Sequence, residues 1–357
     1  MKRVSTSNGM SRREFLAGAV AAVAGLGLAA CGSRVQAPAA TSPAASSASS
    51  ATTQAATGAT QVRVASLKGP TSIGLVELMD QAKAGNLANQ YEFSISGTPD
   101  EVTPKVISGD VDVALVPANV ASVLYNKTKG AVEVIDVNTL GVLHVVTGNQ
   151  SVASFADIAG KTVYMTGKGA TPEYVMTYLV NRAGIEDRVD FEYKSEATEV
   201  VSALAADPSA VGVLPEPFKT AAMAKSQALA SPVDLNDVWD QYAEGGSRLL
   251  TGVTVVRREF ADQHPEAVWE FLDAHAKSVD AVNADPAKWS QAVADAGIVD
   301  SAQVAEKAIP GCHVVCLRDA ELKSALSGFL SVLYQSDNAS VGGALPGDDF
   351  YYAIQGA

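Results

Sequence analysis

Aromatic residues are scarce, at 6% of 357 positions, so the broad stacking platforms used for sugars or single strands are not expected. Histidine and cysteine are scarcer still, four and three in all, which leaves little material for a multi-ligand metal site; neither metal nor cofactor is expected. Basic residues are outnumbered, 26 against 39 acidic, for a net charge of −13. A nucleic-acid partner is therefore not expected, because phosphate contacts need a basic face. Phe15–Ala30, the one candidate span, has sixteen weakly apolar residues, short of the about 20 that a membrane-crossing helix requires. No GxSxG or HExxH pattern occurs. What is plentiful is apolar material, 47% of the chain, enough for a substantial core.

The N-terminus is the most legible stretch. Lys2, Arg3, Arg12 and Arg13 stand against Glu14 alone before the uncharged run begins at Phe15. A basic start, a short apolar stretch and small residues before a cut site form the layout of a signal peptide. Ser11-Arg12-Arg13-Glu14-Phe15-Leu16 resembles the twin-arginine export signal, a receptor-read address. Leu28-Ala29-Ala30-Cys31 resembles a bacterial lipobox, which implies cleavage after Ala30 and lipid attachment to the Cys31 thiol. Cleavage would remove four positive charges and one negative, leaving −16. Residues 33–60 are mostly Ala, Ser, Thr, Pro and Gln with one charge, Arg34, and cannot bury enough apolar surface to order themselves. At about 5–6 Å × √n they span roughly 30 Å, a tether from lipid to globule. The expected division is 1–30 signal peptide and 31–61 lipidated linker, with the globule on the outer face of the cell membrane.

From residue 62 the chain echoes itself. Val64-Ala65-Ser66-Leu67-Lys68-Gly69-Pro70-Thr71 is answered by Tyr164-Met165-Thr166-Gly167-Lys168-Gly169-Ala170-Thr171. Phe93-Ser94-Ile95 is answered by Phe191-Glu192-Tyr193, and Ala114-Leu115-Val116-Pro117 by Gly212-Val213-Leu214-Pro215, the offset staying at 98–100. Each copy reads as a β-branched strand, a Lys-Gly turn, an amphipathic helix, a second strand, a polar helix and a third strand closing on proline. That is a βαβαβ unit with parallel strands, twice. Val132–Val137 and Leu140–Thr147 add strands between the copies, and Arg248–Val256 adds one after them. Helices follow at Pro265–Asn283, Pro286–Ala296, Ala302–Ala308 and Ala320–Tyr334. The expected lobes are 62–147 with 248–357, and 148–247, with a ligand crevice between them.

Five stretches carry a family resemblance: Gly109-Asp110-Val111-Asp112-Val113-Ala114-Leu115-Val116-Pro117, Asp157-Ile158-Ala159-Gly160-Lys161-Thr162-Val163, Pro215-Glu216-Pro217-Phe218, Ile309-Pro310-Gly311-Cys312, and Gly342-Gly343-Ala344-Leu345-Pro346-Gly347-Asp348-Asp349-Phe350-Tyr351-Tyr352. With the export signal and the two lobes, the chain resembles the substrate-binding lipoproteins of ABC transporters with the type II periplasmic binding fold. The likeness is to their nitrate/sulfonate/taurine and thiamine-pyrimidine-precursor branch. It implies an α/β fold of two lobes, each a βαβαβ-based sheet flanked by helices, and a monomer that captures a small polar or anionic solute without chemistry. It also implies permease and ATPase partners on other chains. Similar two-lobed folds serve menaquinone-pathway lyases, whose cleft holds a catalytic His or Asp, and sensor lipoproteins; no candidate loop here contains His.

The loops that follow the strands are the candidate site. Lys68, Gly69, Thr71 and Ser72 in the first copy, and Gly169 and Thr171 in the second, stand where helices start. Free N–H groups and the positive dipole end there suit a carboxylate or sulfonate, and neighbouring hydroxyls add donors. Thr71, Ser72 and Thr171 could instead merely cap those helices, Pro172 being well placed at N1, but hydroxyls acting from opposing lobes favour the ligand role. Asn119, after Pro117, can donate and accept at once, or cap a helix. Glu216, between Pro215 and Pro217, could accept from an amine on the ligand or pair with Arg248 at the return crossing, as a salt bridge beside the hinge.

Several patterns are decoys. Gly160-Lys161-Thr162 imitates the end of a phosphate-binding P-loop, but position 155 is Phe155. Gly167-Lys168-Gly169 imitates a dinucleotide fingerprint whose third glycine position is Pro172. His264 and His275 are expected on the surface, and Trp239, Trp269 and Trp289 in helix packing. Cys312 and Cys316, four steps apart on an expected strand, stand about 13 Å from each other, too far for a disulfide; a helical turn would permit one.

Overall fold

The computed structural model describes residues 58–243 and 245–353. The signal peptide, the twin arginines, Cys31 and nearly all of the tether lie outside the described residues. Among the described residues no helix is long and apolar enough to cross a membrane.

The first copy runs β1 (Gln61–Leu67), α1 (Pro70–Ile73), α2 (Val76–Ala84), β2 (Gln90–Ser96), α3 (Pro99–Ser108), β3 (Val113–Pro117) and α4 (Ala118–Thr128). β4 (Val132–Leu140) and β5 (Leu143–Thr147) follow. The second copy runs β6 (Lys161–Met165), α5 (Thr171–Arg182), β7 (Val189–Tyr193), α6 (Ala197–Ala206), β8 (Val211–Pro215) and α7 (Phe218–Lys225), trailed by β9 (Ala230–Asp234) and α8 (Leu235–Tyr242). The remainder is β10 (Leu250–Arg257), α9 (Arg258–Gln263), α10 (Pro265–Ala284), α11 (Pro286–Asp295), α12 (Ala302–Ala308), β11 (Val314–Leu317) and α13 (Asp319–Ser336).

Two sheets result. The first has six strands in the order β11-β4-β10-β3-β1-β2, the second five in the order β7-β6-β8-β5-β9. In each, a parallel trio meets an antiparallel neighbour: β2-β1-β3 beside β10, and β7-β6-β8 beside β5. The register repeats too, Val64 pairing Val113 in one trio and Val163 pairing Val211 in the other. β3 and β8 are continuous apolar runs buried on both faces, as central strands covered by helices require. β2, at an edge, alternates half-buried Tyr91 and Phe93 with exposed Gln90, Glu92 and Ser94.

One expected boundary moves. Leu143–Thr147, grouped with the first lobe by sequence, pairs with β8 and β9 in the second sheet. An unbroken apolar run shows that a strand is buried and not which sheet buries it. The crossing itself is Gly141–Val142. A Cβ on Gly141 would stand 2.0 Å from Asn236 Oδ1 and 2.8 Å from Leu249, so only glycine lets the chain through. Asn236 Nδ2 donates to the Gly141 carbonyl at 3.1 Å, and His313 Nδ1 approaches the same oxygen at 2.7 Å.

α13 ties the lobes together, packing on β4, β10 and α4 of the first and on α5 of the second. Its Phe329 ring lies 5.3 Å from Trp239, which lies 5.2 Å from Tyr178, forming an aromatic seam between α13, α8 and α5. Trp239 and Trp289 are buried, as helix packing predicts. His275 departs from expectation. It is fully buried, because α10 turns Val268, Phe271, Leu272, His275, Val279 and Val282 inward on one stripe. Cys316 is in β11, Cys312 precedes it, and both thiols are free.

Candidate functional site

The carboxyl ends of six parallel strands face one cavity of about 570 Å³ between the two sheets. β1 delivers Lys68–Thr71, β2 delivers Gly97–Asp100 and β3 delivers Pro117; β6 delivers Thr166–Pro172, β7 delivers Lys194–Ala197 and β8 delivers Pro215 with Phe218. That volume suits a small organic molecule. Helices α3, α4, α5, α6 and α7 all begin at this cavity, and none has a side-chain hydrogen bond at its N-cap. Thr220 N in the first turn of α7 donates to Glu216 Oε2 at 3.2 Å, and Asn119 N of α4 to Thr171 Oγ1 at 3.4 Å. Among the described residues α3, α5 and α6 show no side-chain acceptor on their first-turn N–H groups. Each helix brings its positive dipole end to the cleft.

Charge sharpens the picture. Lys68, Lys127, Lys168 and Lys194 line the cavity against Asp100 and Glu196 alone, a basic cleft in a chain of −13. Both lobes contribute: Lys68 and Lys127 from the first, Lys168 and Lys194 from the second. Lys194 is held by Glu192 at 2.6 Å, which raises its pKa, and lies over the Tyr164 ring. Lys68 Nζ reaches across the cleft to Glu196 at 3.8 Å. The rest of the wall is aliphatic, with Leu67, Val120, Val123, Leu124 and Leu143; Phe218 is the aromatic in it. Neither histidine nor cysteine is among the residues that line the cavity.

Of the residues singled out from sequence, Lys68, Gly69, Thr71, Gly169 and Thr171 line the cleft. Ser72, Asn119, Glu216 and Arg248 do not. Ser72 is fully buried, its hydroxyl donating to the Leu67 carbonyl at 2.6 Å and sharing a bond with Ser66. Glu216 is 2% exposed, paired with Lys219 at 2.6 Å rather than with Arg248, and accepts from Thr220 Oγ1 at 2.9 Å. Arg248 is exposed on the return crossing. Asn119 is buried and spends its polar atoms inside the protein. Its Nδ2 donates to the Ser340 carbonyl at 3.0 Å, and its Oδ1 accepts from Thr171 Oγ1 at 3.1 Å. Thr171 is the first residue of α5 rather than its cap, which is Ala170, so its hydroxyl is free to join the two lobes. Gly97–Asp100 and Lys194–Ala197 were missed. The signal was present, since they follow the second strand of each copy as the Lys-Gly turns follow the first.

A family model described as NMT1/THI5 like matches residues 92–289. None of the curated proteins compared with the chain matches it. Among solved structures, a crystal structure of an ABC transporter from Parabacteroides distasonis is 25% identical, covers 83% of this chain and 100% of its own, and superposes with a TM-score of 0.68. The ligand-binding component of an ABC-type import system from Staphylococcus aureus, with zinc bound, is 15% identical over 82% of this chain and 96% of its own, TM-score 0.64. The periplasmic aliphatic sulphonate binding protein from Escherichia coli is 13% identical over 83% of this chain and 97% of its own, TM-score 0.63. The fold is that of periplasmic binding proteins.

Proposed function

The chain belongs to the NMT1/THI5-like family, and on that footing we propose that it is the extracytoplasmic solute-binding component of an ABC importer, capturing a small anionic solute between its lobes. The observation that carries this reading is the cleft, which gathers four lysines and five helix N-termini from two lobes of an acidic protein. The aliphatic wall supports an anion with a compact apolar body, such as a short sulfonate, over a flat heteroaromatic ring, for which Phe218 alone would supply stacking.

In this reading the lobes divide at Gly141–Val142 and again between Tyr242 and Leu250. A ligand that touches both walls favours the closed form by the difference in its affinity for the two states. No bond is made or broken. Cys31 carries the lipid, and residues 33–60 let the globule reach a permease and ATPase on other chains. Support for the anchor is the lipobox-like Leu28-Ala29-Ala30-Cys31.

A thermal-shift and calorimetric screen of sulfonates, nitrate, carboxylates, pyrimidines and amino acids tests the proposal. At about 100 times Kd a ligand contributes roughly 2.7 kcal/mol, enough to raise the midpoint by several degrees. The expected hit is anionic, binds more weakly as salt rises, and is recovered unaltered when the protein is denatured. A cationic hit, or a ligand recovered chemically changed, would overturn it.

A further inference from the structure

Away from the cleft, three metal-ligand side chains converge in the first lobe. Asp136 comes from β4, His275 from α10 and Cys316 from β11, and their donor atoms all lie within 4.8 Å of one another. His275 Nδ1 stands 2.9 Å from Asp136 Oδ2, and Cys316 Sγ stands 3.9 Å from that same oxygen. With bond lengths of about 2.0–2.3 Å, tetrahedral zinc ligands stand roughly 3.3–3.6 Å apart, so the observed spacings bracket the required ones. Thr254 Oγ1 donates to the other carboxylate oxygen at 2.7 Å, which orients Asp136 and turns Oδ2 toward the two partners. Such outer support is what a ligating carboxylate needs.

Charge is the second argument. Asp136 and His275 are both 0% exposed, and among the described residues no lysine or arginine forms an ion pair with Asp136. A buried carboxylate without a fixed cation is costly. The ring's other nitrogen, Nε2, has no hydrogen-bond partner among the described residues, so Asp136 alone sets the ring's orientation. One divalent ion would balance one carboxylate, one thiolate and one neutral imidazole to zero. Cys316 is half-buried, so of the three side chains it is the one that reaches the surface. Arg318, on that side, is occupied by Asp273 at 3.1 Å.

We propose that Asp136, His275 and Cys316 form a binding site for a single zinc-class divalent cation that cross-links β4, α10 and β11. The site is independent of the cleft, so it stands or falls apart from solute binding.

Cobalt is the probe, because a thiolate ligand gives it a near-ultraviolet charge-transfer band. Titrating the full chain with Co²⁺ should produce that band at one equivalent, with Zn²⁺ displacing it. The band should vanish in Cys316→Ser and persist in Cys312→Ser and Cys31→Ser, which separates this thiol from the other two. Thr254→Val should keep the band while weakening the metal by about 10- to 100-fold. His275→Gln should weaken it further; should that variant not fold, the three cysteine variants still decide. Absence of a band, its survival in Cys316→Ser, or its loss in Cys312→Ser would overturn the assignment.

Discussion

Where the first lobe has Asp112 ahead of its third strand, the second has Ala210. The two lobes share one strand order and register, but not one means of cohesion. In the first, Asp112 is 1% exposed and clamped by Arg63 at 2.6 Å and Arg257 at 2.8 Å, which ties β1 and β10 to the turn before β3. In the second, no arginine clamp stands in that place. Asp207 of the corresponding turn only accepts from Ser209 N and Oγ within the turn, and Val200, Val201, Leu204, Leu214 and Phe218 close one face of the sheet by packing. The difference shows that topology follows from the repeated strand and turn pattern, whereas the source of stability is free to vary between copies. It also sets how each lobe can fail.

The largest effect is expected at the clamp. Asp112→Ala removes the buried member of the clamp and should cost about 3 kcal/mol, the low end for breaking a buried pair, because Arg63 is 35% exposed and Arg257 keeps Glu259 at 3.0 Å. Urea unfolding should show it, and a midpoint within error of the parent would break the contrast. Acid should sharpen it. Burial alone would raise the Asp112 carboxyl, but hydrogen bonds from Arg63 and Arg257 hold its pKa below the ordinary value. A depressed folded pKa gives stability that is present above the unfolded value near 4 and lost as pH falls through the folded value. The parent should therefore lose stability below about pH 4, and Asp112→Asn should show less of that dependence.

The crossing between lobes comes next. At Gly141 an added methyl meets Asn236 and Leu249 at distances no relaxed side chain tolerates. Gly141→Ala should cost about 1–3 kcal/mol, as overpacking does. If calorimetry showed the variant unfolding as easily as the parent, the crossing would be looser than its contacts imply. Smaller again is Thr171→Val, which deletes the 3.1 Å bond to Asn119 and leaves that oxygen buried. About 0.5–1.5 kcal/mol of closed-state preference should go, read as a larger radius of gyration by small-angle scattering. An unchanged radius would mean the lobes are held together without this bond.

How much of this was legible follows from how far apart the partners are in sequence. β1–β3 and β6–β8 were legible because strand period, Lys-Gly turns and closing prolines are local. The cleft loops after β1 and β6 were legible for the same reason. Asn119, Ser72 and Glu216 were not, because a polar side chain at a strand end can face a ligand or a protein neighbour. For Asn119 the neighbours are Thr171 and Ser340, 52 and 221 positions away. His275 was misplaced on the surface although the α10 stripe carries it inward, since its partner Asp136 lies 139 residues upstream. Leu143–Thr147 shows the same limit for a whole strand: its apolarity is local and its sheet is not.

The smallest effect concerns the contact that spans the cleft mouth. Lys68 and Glu196 stand 3.8 Å apart with side chains 32% and 43% exposed, so water screens them and the pair contributes at most about 1 kcal/mol. Glu196→Gln should leave unfolding within about 0.5 kcal/mol of the parent. Its consequence should appear in binding, because Lys68 of the first lobe would be released and the cleft would lose one of its two carboxylates. Anion affinity should rise by up to about fivefold at low salt and fall back as ionic strength shortens the Debye length. Asp100→Asn removes the other carboxylate, which belongs to the first lobe and is not one of the two partners in the Lys68–Glu196 contact, so it serves as the control. If the two variants raised affinity equally, Glu196 would act only as one more negative charge; a larger gain from Glu196→Gln would identify Lys68 as a cation that the second lobe withholds until a ligand competes for it.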